Sequence, residues 1–230
     1  MKTRQIVRIG ALVVAGTILT AACSSKDADK TSSDTTTKTD DTVKGLSIDY
    51  SKLAATLNAS GSTFQAALEE AAIATFQEQA PNVTINYAGG GSGKGKTDLQ
   101  GGAATDFAGT DSLVKPGDKP LYKKGELLYF PIAAAPITVA FQLEGVSKLQ
   151  MSAETIAKIF QAEITKWDDA AIKADNPDAT LPATPIVIVH RAEGSGTTSN
   201  FTGFLNKAAP AAWKLGKGDT VNWPTSSQAG

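Results

Sequence analysis

The stretch YAGGGSGKGKTDL contains a possible phosphate-binding loop, because Gly90 to Thr97 match the pattern G-x-x-x-x-G-K-[ST] at every fixed position. In nucleotide hydrolases this loop cradles phosphates, and its lysine reaches the terminal ones. Such enzymes also need an acidic Mg²⁺ ligand at the end of another strand. The best candidate strand, PIVIVH, ends in His190 and Arg191 instead. We therefore reject a nucleotide hydrolase, retain the loop as a candidate anion site and expect Lys94 and Lys96 to be surface charges.

Three further loops carry groups that can bind an oxyanion. They are GSTF (61–64), GTD (109–111) and RAEGSGTT (191–198). Each stands at a strand end or before a helix, where backbone N–H groups and hydroxyls meet the positive end of the helix dipole. Any one of these loops could be ordinary helix capping. Arg191 and Asp111 favour an anion site over capping alone.

The order of predicted elements places these loops at one edge of a parallel sheet. The first segment reads as a strand at 56–61, a helix from about Ser62 to Pro81, a strand at 83–87, a weak helix at 96–104 and a strand end at 105–111. The first helix has its apolar residues at helical spacing: Phe64, Leu68, Ala71, Ala72 and Phe76. Alternating strands and helices indicate parallel βαβ units, which bind ligands at the carboxyl ends of their strands.

The second segment repeats this plan of strand, Gly/Ser/Thr loop and helix. It begins with a long β-prone run at 129–143 and continues into a helix capped by Ser152, with Ile156, Ile159 and Phe160 on one face. A buried strand, ATPIVIVH, follows, and then a helix whose apolar side carries Phe201, Phe204 and Leu205. The sequence thus predicts an α/β protein with mostly parallel strands.

The amino-terminal residues predict that this domain lies outside the cytoplasm. Residues 1–23 have basic residues, a short apolar core and small residues before Cys23, which predicts a cleaved signal peptide. LTAAC is similar to a bacterial lipobox, and a lone cysteine cannot form an internal disulfide, so we expect lipid attachment at Cys23. Residues 24–45 are mostly Ser, Thr, Asp and Lys and predict a disordered tether. A net charge of -1 gives no reason to expect nucleic-acid binding.

Four ordered stretches resemble the phosphate-binding lipoproteins of phosphate-specific ABC transporters, the PstS family. They are GSTF, VTINYAGGGSGKG, TDFAGTD and HRAEGSGTTSNFTGFL, with ITKWDD between the last two. The resemblance implies a two-lobed periplasmic-binding-protein fold, with lobe I at 46–130, lobe II at 131–230 and a hinge near LLYFPIAAAP. It also implies capture of inorganic phosphate between the lobes and delivery to a membrane permease. We expect a monomer anchored to the outer face of the cell membrane, with no cofactor and no metal.

The same resemblance implies a set of binding residues. Carried over position by position, the phosphate ligands are Thr63, Phe64, Ser92, Asp111, Arg191, Ser195, Gly196 and Thr197. Glu193 stands where the family usually has Asp, and it would orient Arg191. The chemistry agrees, since a guanidinium can bind two oxygens at once and a carboxylate accepts the proton that phosphate keeps and sulfate lacks. Replacing Ser92 is therefore expected to weaken binding more than replacing Lys96.

Two other classes of function remain open from the residues. One is a binding protein of the same fold for another oxyanion or a small organic acid. The other is an extracellular phosphatase or esterase, but no nucleophile and base occur at a recognisable spacing.

His190 is expected to be structural, and Trp167, Trp213 and Trp223 to be packing residues. Since relatives return from the second lobe to complete the first, the chain is expected to be a fragment with lobe I incomplete.

Overall fold

This computed structural model describes residues 48–102 and 105–230. They contain two parallel sheets and five α-helices. Ile48 to Gly230 form one compact unit. The expected signal peptide with Cys23 and the expected tether lie outside the described residues. In the described ranges, no helix has both the length and the apolar character needed to cross a bilayer.

The elements follow one another in a simple order. The strands are β1 (Ala54–Gly61), β2 (Asn82–Ala88), β3 (Phe107–Gly109), β4 (Val189–His190) and β5 (Gln228–Ala229). The α-helices are α1 (Ala66–Gln79), α2 (Gly91–Gly101), α3 (Ala153–Phe160), α4 (Ala170–Asp175) and α5 (Gly196–Ala208). Short 3₁₀-helices cover Tyr50–Lys52 and Pro116–Leu121.

The first sheet has the strand order β2-β1-β3, and both pairings are parallel. Parallel neighbours need a crossover, and α1 and α2 supply it between successive strands. Ser60 pairs with Ala88 and Gly61 pairs with Gly109, so all three strands end at the same edge. The predicted α/β class with parallel strands is confirmed.

Helix α2 begins at Gly91, inside the glycine run, rather than at Lys96 as predicted. Its glycines allow close packing: a Cβ added to Gly95 would lie 2.7 Å from the Cα of Gly61, and one added to Gly93 would lie 2.9 Å from the Cα of Gly194. Because residues 91–97 are helical, they do not wrap around a phosphate as a P-loop does. The rejection of a nucleotide-hydrolase loop agrees with this geometry.

Helix α1 differs from its prediction in both its start and its burial. It begins at Ala66 rather than near Ser62, whose hydroxyl donates to Asp111 while its oxygen accepts the N–H of Phe64. None of its residues is buried, and Phe64 and Leu68 are 56% and 44% exposed. In the described ranges, α1 packs mainly on β2, so its apolar spacing did not mark a core face.

The second half of the chain is organised around two apolar clusters. Ile159, Ile164, Ile172, Leu181 and Ile188 form one, and Ala157, Leu205, Ala209 and Trp213 form the other. Helix α3 contributes to both, and Ser152 caps it by accepting a hydrogen bond from the N–H of Thr155, as predicted. The three tryptophans pack against these clusters, which confirms their predicted role.

Two predicted strands of this half are wrong in extent. The run at 129–143 is not a strand, since no described strand pairs with it, and Phe130 is 79% exposed. ATPIVIVH contributes only Val189–His190, which pair with the two-residue strand β5. It is also one-sided, since Ile188 is buried while Val189 is 61% exposed. Similarly, Phe204 of α5 is exposed, although Leu205 is buried as expected. Apolar residues in a run therefore did not establish either pairing or burial.

The two lysines of the glycine loop have different environments. Lys94 pairs with Asp98 on the exposed side of α2, as expected of a surface charge. Lys96 does not fit that expectation, because its side chain is only 16% exposed and its Nζ donates to Asp219 Oδ2 at 2.8 Å and to Ser112 Oγ at 2.6 Å. Lys96 thus ties α2 to the chain that follows α5.

We expect Gly95→Ala to destabilise the protein and Gly101→Ala, in the same helix, to be neutral or stabilising. The added methyl at position 95 meets the backbone of β1, whereas no atom of residues 48–102 and 105–230 outside its immediate neighbours lies within 4 Å of one at position 101. Overpacking costs about 1–3 kcal/mol, while replacing an unhindered helical glycine gains up to about 1 kcal/mol. Thermal unfolding of the protein without its first 23 residues gives the melting temperatures of both variants. Equal melting temperatures for the two variants would contradict this packing.

Lys96→Ala should lower the melting temperature more than Lys94→Ala. Removal of Lys96 leaves the partly buried Asp219 carboxylate without its cation, which costs about 1–3 kcal/mol. Loss of the exposed Lys94–Asp98 pair costs at most about 1 kcal/mol. Both variants remove one lysine from one helix, so net charge is matched. A larger loss for Lys94→Ala would refute the structural role of Lys96.

Candidate functional site

The carboxylate of Asp111 is the centre of a polar cluster at the carboxyl ends of β1, β2 and β3. Asp111 follows β3 by two residues and is half-buried. Its Oδ1 accepts hydrogen bonds from Ser62 Oγ at 2.6 Å and from Gln65 Nε2 at 3.2 Å. Ser62 follows β1 and is 1% exposed, and Gln65 immediately precedes α1. Parallel pairing of β1 with β3 brings these residues together.

Ser92 contacts both the backbone and the side chain of Asp111. The N–H of Asp111 donates to Ser92 Oγ at 3.1 Å, and Ser92 Oγ lies 3.3 Å from Asp111 Oδ2. Ser92 is the second residue of α2 and is 1% exposed. Its hydroxyl therefore lies at the positive end of the α2 dipole, where negative charge is favoured.

The amino-terminal end of α5 lies against this cluster. A Cβ added to Gly196 would lie 2.6 Å from Ser92 Oγ and 2.8 Å from the Cβ of Asp111, so only glycine fits there. Asn200 Nδ2 donates to the backbone oxygen of Asp111 at 2.7 Å. The first turn of α5 and the first turn of α2 thus meet beside one carboxylate, and both can favour an anion.

Ser195 holds the start of α5 in this place. Its side chain caps the helix by accepting from the N–H of Thr198, and its own N–H donates to the backbone oxygen of Asp219 at 2.9 Å. The N–H of Gly93 donates to the oxygen of Gly194 at 2.8 Å, which joins this loop directly to α2. The loop before α5 is therefore fixed on two sides.

Arg191 forms an ion pair with Glu193, and both side chains are about one-third exposed. Glu193 lies beside the start of α2, since a Cβ added to Gly91 would be 3.0 Å from its Cγ. The orienting role of Glu193 stays a prediction, for which this pair is a precondition. The contact between Glu193 and Gly91 places this ion pair next to the glycine loop.

The predicted binding residues differ in how closely the structure groups them. Ser92, Asp111 and Gly196 are in mutual contact, and Ser195 adjoins them. Phe64 directs its N–H to Ser62 Oγ at 3.2 Å, while its ring is exposed. Thr63 is exposed and Thr197 is half-buried in the first turn of α5. The central group is thus the set around Asp111.

Sequence reasoning missed three residues of this cluster, Ser62, Gln65 and Asn200. Ser62 lies within the GSTF loop, directly before the predicted ligands Thr63 and Phe64. Its position directly after a parallel strand was an available signal, because ligand contacts concentrate there. Gln65 and Asn200 had no comparable signal, since polar residues near helix starts usually face water.

Two groups near the cluster, Tyr87 and Glu69, have raised pKa values. Burial raises the pKa of Tyr87 to about 12, with further contributions from the negative charges of Glu69 and Asp111. Tyr87 is therefore a neutral donor, and its hydroxyl donates to the backbone oxygen of Ser62 at 2.8 Å. Burial also raises the pKa of Glu69, which lies one helical turn after Gln65.

The only histidine is engaged in packing. The ring of His190 stacks on Trp223 with centroids 4.9 Å apart, and its Nδ1 lies 2.8 Å from the backbone oxygen of Arg191. Within residues 48–102 and 105–230, no group of three His, Cys, Asp or Glu side chains is arranged to hold a metal ion.

A family model and curated relatives of this chain point to the same protein family. A family model described as a PBP superfamily domain matches residues 26–228. Phosphate-binding protein PstS 3 of Mycobacterium tuberculosis (strain ATCC 25618 / H37Rv) is 38% identical over 166 residues, which are 71% of this chain and 45% of the relative. Phosphate-binding protein PstS of Methanocaldococcus jannaschii is 37% identical over 181 residues, 74% of this chain and 46% of the relative. The chain spans about half the length of these curated relatives.

A solved structure supports the fold. A protein from Clostridium perfringens with bound phosphate, assigned as the substrate-binding protein of a phosphate ABC transporter, covers 76% of this chain with a TM-score of 0.53. The match includes 61% of that protein, at 20% sequence identity. The predicted resemblance to PstS proteins and the predicted periplasmic-binding-protein fold are confirmed. The chain belongs to the periplasmic-binding-protein (PBP) superfamily.

Proposed function

We propose that this protein is an extracytoplasmic solute-binding protein that captures inorganic phosphate and delivers it to an ABC-type importer. The observation that carries the proposal is the carboxylate of Asp111 beside the first turns of α2 and α5. Helix amino-terminal ends favour an anion, whereas a carboxylate repels one unless the anion brings a proton. Monohydrogen phosphate meets both requirements, because it is an anion that donates a proton.

The donors near Asp111 suit the remaining oxygens of phosphate. Ser92 Oγ has a long, 3.3 Å contact with Asp111 Oδ2, which a phosphate oxygen can replace with a shorter one. The backbone N–H groups at the start of α5 lie next to Ser92, where Gly196 allows close approach. We propose that Phe64 and Thr63 from the first loop, and Ser195 and Thr197 from α5, complete these contacts.

Arg191 supplies the positive charge in this proposal. Its ion pair with Glu193 stands beside Gly91 and so beside the glycine loop. A guanidinium held by one carboxylate keeps further N–H groups for a second anion, and it binds two oxygens of that anion with defined geometry. Glu193 thereby orients Arg191 and leaves part of its donors for the anion.

The relatives support phosphate as the solute, since the curated ones are named phosphate-binding proteins. Because the chain covers about half of their length, the transport function is proposed for the whole protein. We propose two lobes, 46–130 and 131–230, that close around the anion about a hinge at 127–136. We further propose a monomer, anchored outside the cell membrane through lipid on Cys23, that docks on a membrane permease.

The protein acts by binding in this proposal, without catalysis. The environment of His190 supports that view, because a ring stacked on Trp223 is poorly placed to serve as a mobile general base. His190 Nδ1 is also occupied by the backbone oxygen of Arg191. No cofactor is needed to bind phosphate by hydrogen bonds and ion pairing.

The protein should bind phosphate at least about a hundredfold more tightly than sulfate, since sulfate would set an oxygen without a proton against Asp111. Asp111→Asn should reduce this preference about tenfold or more, because an amide can donate to sulfate. Isothermal titration of the full-length protein from Ser24 onward with both anions measures the ratio. Equal affinities in the unsubstituted protein, or no phosphate binding, would overturn the proposed function. An unchanged ratio in Asp111→Asn would assign selectivity to another group.

Ser92→Ala should raise the Kd for phosphate about 10- to 100-fold, since it deletes a hydrogen bond to a charged ligand. Lys94→Ala is the matched control, because Lys94 lies two residues away in the same helix but pairs with Asp98 on its exposed side. Lys96 is unsuitable as a control, since it holds Asp219. Titration should show less than about a threefold change for Lys94→Ala. Equal effects of the two substitutions would remove Ser92 from the binding site.

A further inference from the structure

The two oxygens of Asp111 have unequal surroundings. Oδ1 faces two donors, Ser62 Oγ at 2.6 Å and Gln65 Nε2 at 3.2 Å. Oδ2 has a 3.3 Å contact with Ser92 Oγ, which is longer than the usual 2.5–3.0 Å for a hydroxyl donor. Oδ2 is therefore on the side of Ser92 at the start of α2, and Gly196 at the start of α5 packs against the same serine hydroxyl. The carboxylate is therefore held on one side and available on the other.

The donors to Oδ1 have defined orientations. Ser62 Oγ accepts the N–H of Phe64 at 3.2 Å, so its single proton is left for Asp111. The amide of Gln65 must present nitrogen, because an ionised carboxylate only accepts hydrogen bonds. Gln65 is 9% exposed, and its Oε1 lies where Gly109 has no side chain, since a Cβ there would be 2.8 Å away. The tight fit keeps the amide in one place.

A second layer holds Ser62 in turn. Tyr87 donates its hydroxyl to the backbone oxygen of Ser62 at 2.8 Å, and a Cβ on Gly109 would lie 2.2 Å from that hydroxyl. Tyr87, Gly109 and Gln65 thus pack together behind Asp111. The arrangement supports the orientation of Oδ1 from the side away from the proposed anion.

We infer that Gln65 and Ser62 are positioning residues that hold Oδ1 of Asp111, so that Oδ2 accepts the proton of the bound anion and sets the preference for protonated oxyanions over sulfate. The inference rests on the proposed function and deepens it. Without these donors, the carboxylate can rotate, and its repulsion of sulfate is no longer directed at the bound anion. Phosphate binding then weakens more than sulfate binding does, so the preference falls.

The test uses Gln65→Met, which keeps the length of the side chain and removes its donor. We expect the Kd for phosphate to rise about tenfold and the phosphate-to-sulfate preference to fall at least about fivefold. Gln65→Glu adds a carboxyl group next to Oδ1, where Asp111, Glu69 and Tyr87 are titratable neighbours. The other charged or titratable residues that line the same groove are Lys96, Asp106, Tyr122, Lys124, Glu126 and Tyr129. Two adjacent carboxyl groups resist joint ionisation, so the introduced one repels Asp111 when charged and donates when protonated.

Phosphate affinity of Gln65→Glu, divided by that of the unsubstituted protein at the same pH, should therefore be low at pH 8 and recover toward pH 5. The division removes the ionisation of phosphate itself. Gln79→Glu makes the same change at the exposed carboxyl end of α1 and should follow the unsubstituted protein at every pH. Recovery at low pH also shows that the variant is folded. Ser62→Ala should lower the preference in the same direction as Gln65→Met.

The outcomes separate the inference from the function on which it rests. If the unsubstituted protein binds no phosphate, the proposed function fails. If it prefers phosphate, but Gln65→Met keeps that preference and Gln65→Glu follows the unsubstituted protein at every pH, only the positioning role is overturned. A purely structural role of Gln65 would weaken phosphate and sulfate equally, which would also overturn it.

Discussion

The hydrogen bonding of one carboxylate organises the described part of this protein. Asp111 is half-buried at the point where three parallel strands end, and a carboxylate drawn from water must find donors. It finds them in Ser62 and Gln65, which lie in the turn between β1 and α1, and in Ser92 of α2. Each of those segments is thereby held at one place. Ser62 precedes α1, which begins at Ala66, and its hydroxyl connects Asp111 with the backbone N–H of Phe64.

Glycines, which have no side chain, are as important for this arrangement as the hydrogen-bond donors. Gly93 and Gly95 let α2 lie against backbone on both of its sides, and Gly196 lets α5 approach Ser92 and Asp111. These contacts leave no room for a single added methyl group. Lys96 and Asp219 then connect α2 to the chain after α5 through a partly buried ion pair. The glycines that resemble a phosphate loop therefore act first in helix packing, and any contact with an anion follows from that packing.

Sequence patterns predicted the elements that combine periodicity with clear boundaries. The three strands of the first sheet, the Ser152 cap and the helix after Ser195 are present as expected. The failures have a common cause, which is that apolar spacing does not specify a partner. The run at 129–143 is β-prone but unpaired in the described chain, and the apolar residues of α1 remain exposed. A strand or a core face exists only where another element meets it.

The sequence by itself determined the family of this protein, because four loops of Gly, Ser and Thr, one aspartate and one arginine follow the order of known phosphate-binding proteins, and it predicted a candidate anion site from them. It also determined the parallel α/β class, because strands and helices alternate along the chain. Only the tertiary structure decided which donor serves which acceptor. Parallel pairing of β1 with β3 brings Ser62 within 2.6 Å of Asp111 across 49 residues of sequence, and no local pattern encodes that distance. The roles of Ser62, Gln65 and Lys96 follow from such long-range contacts.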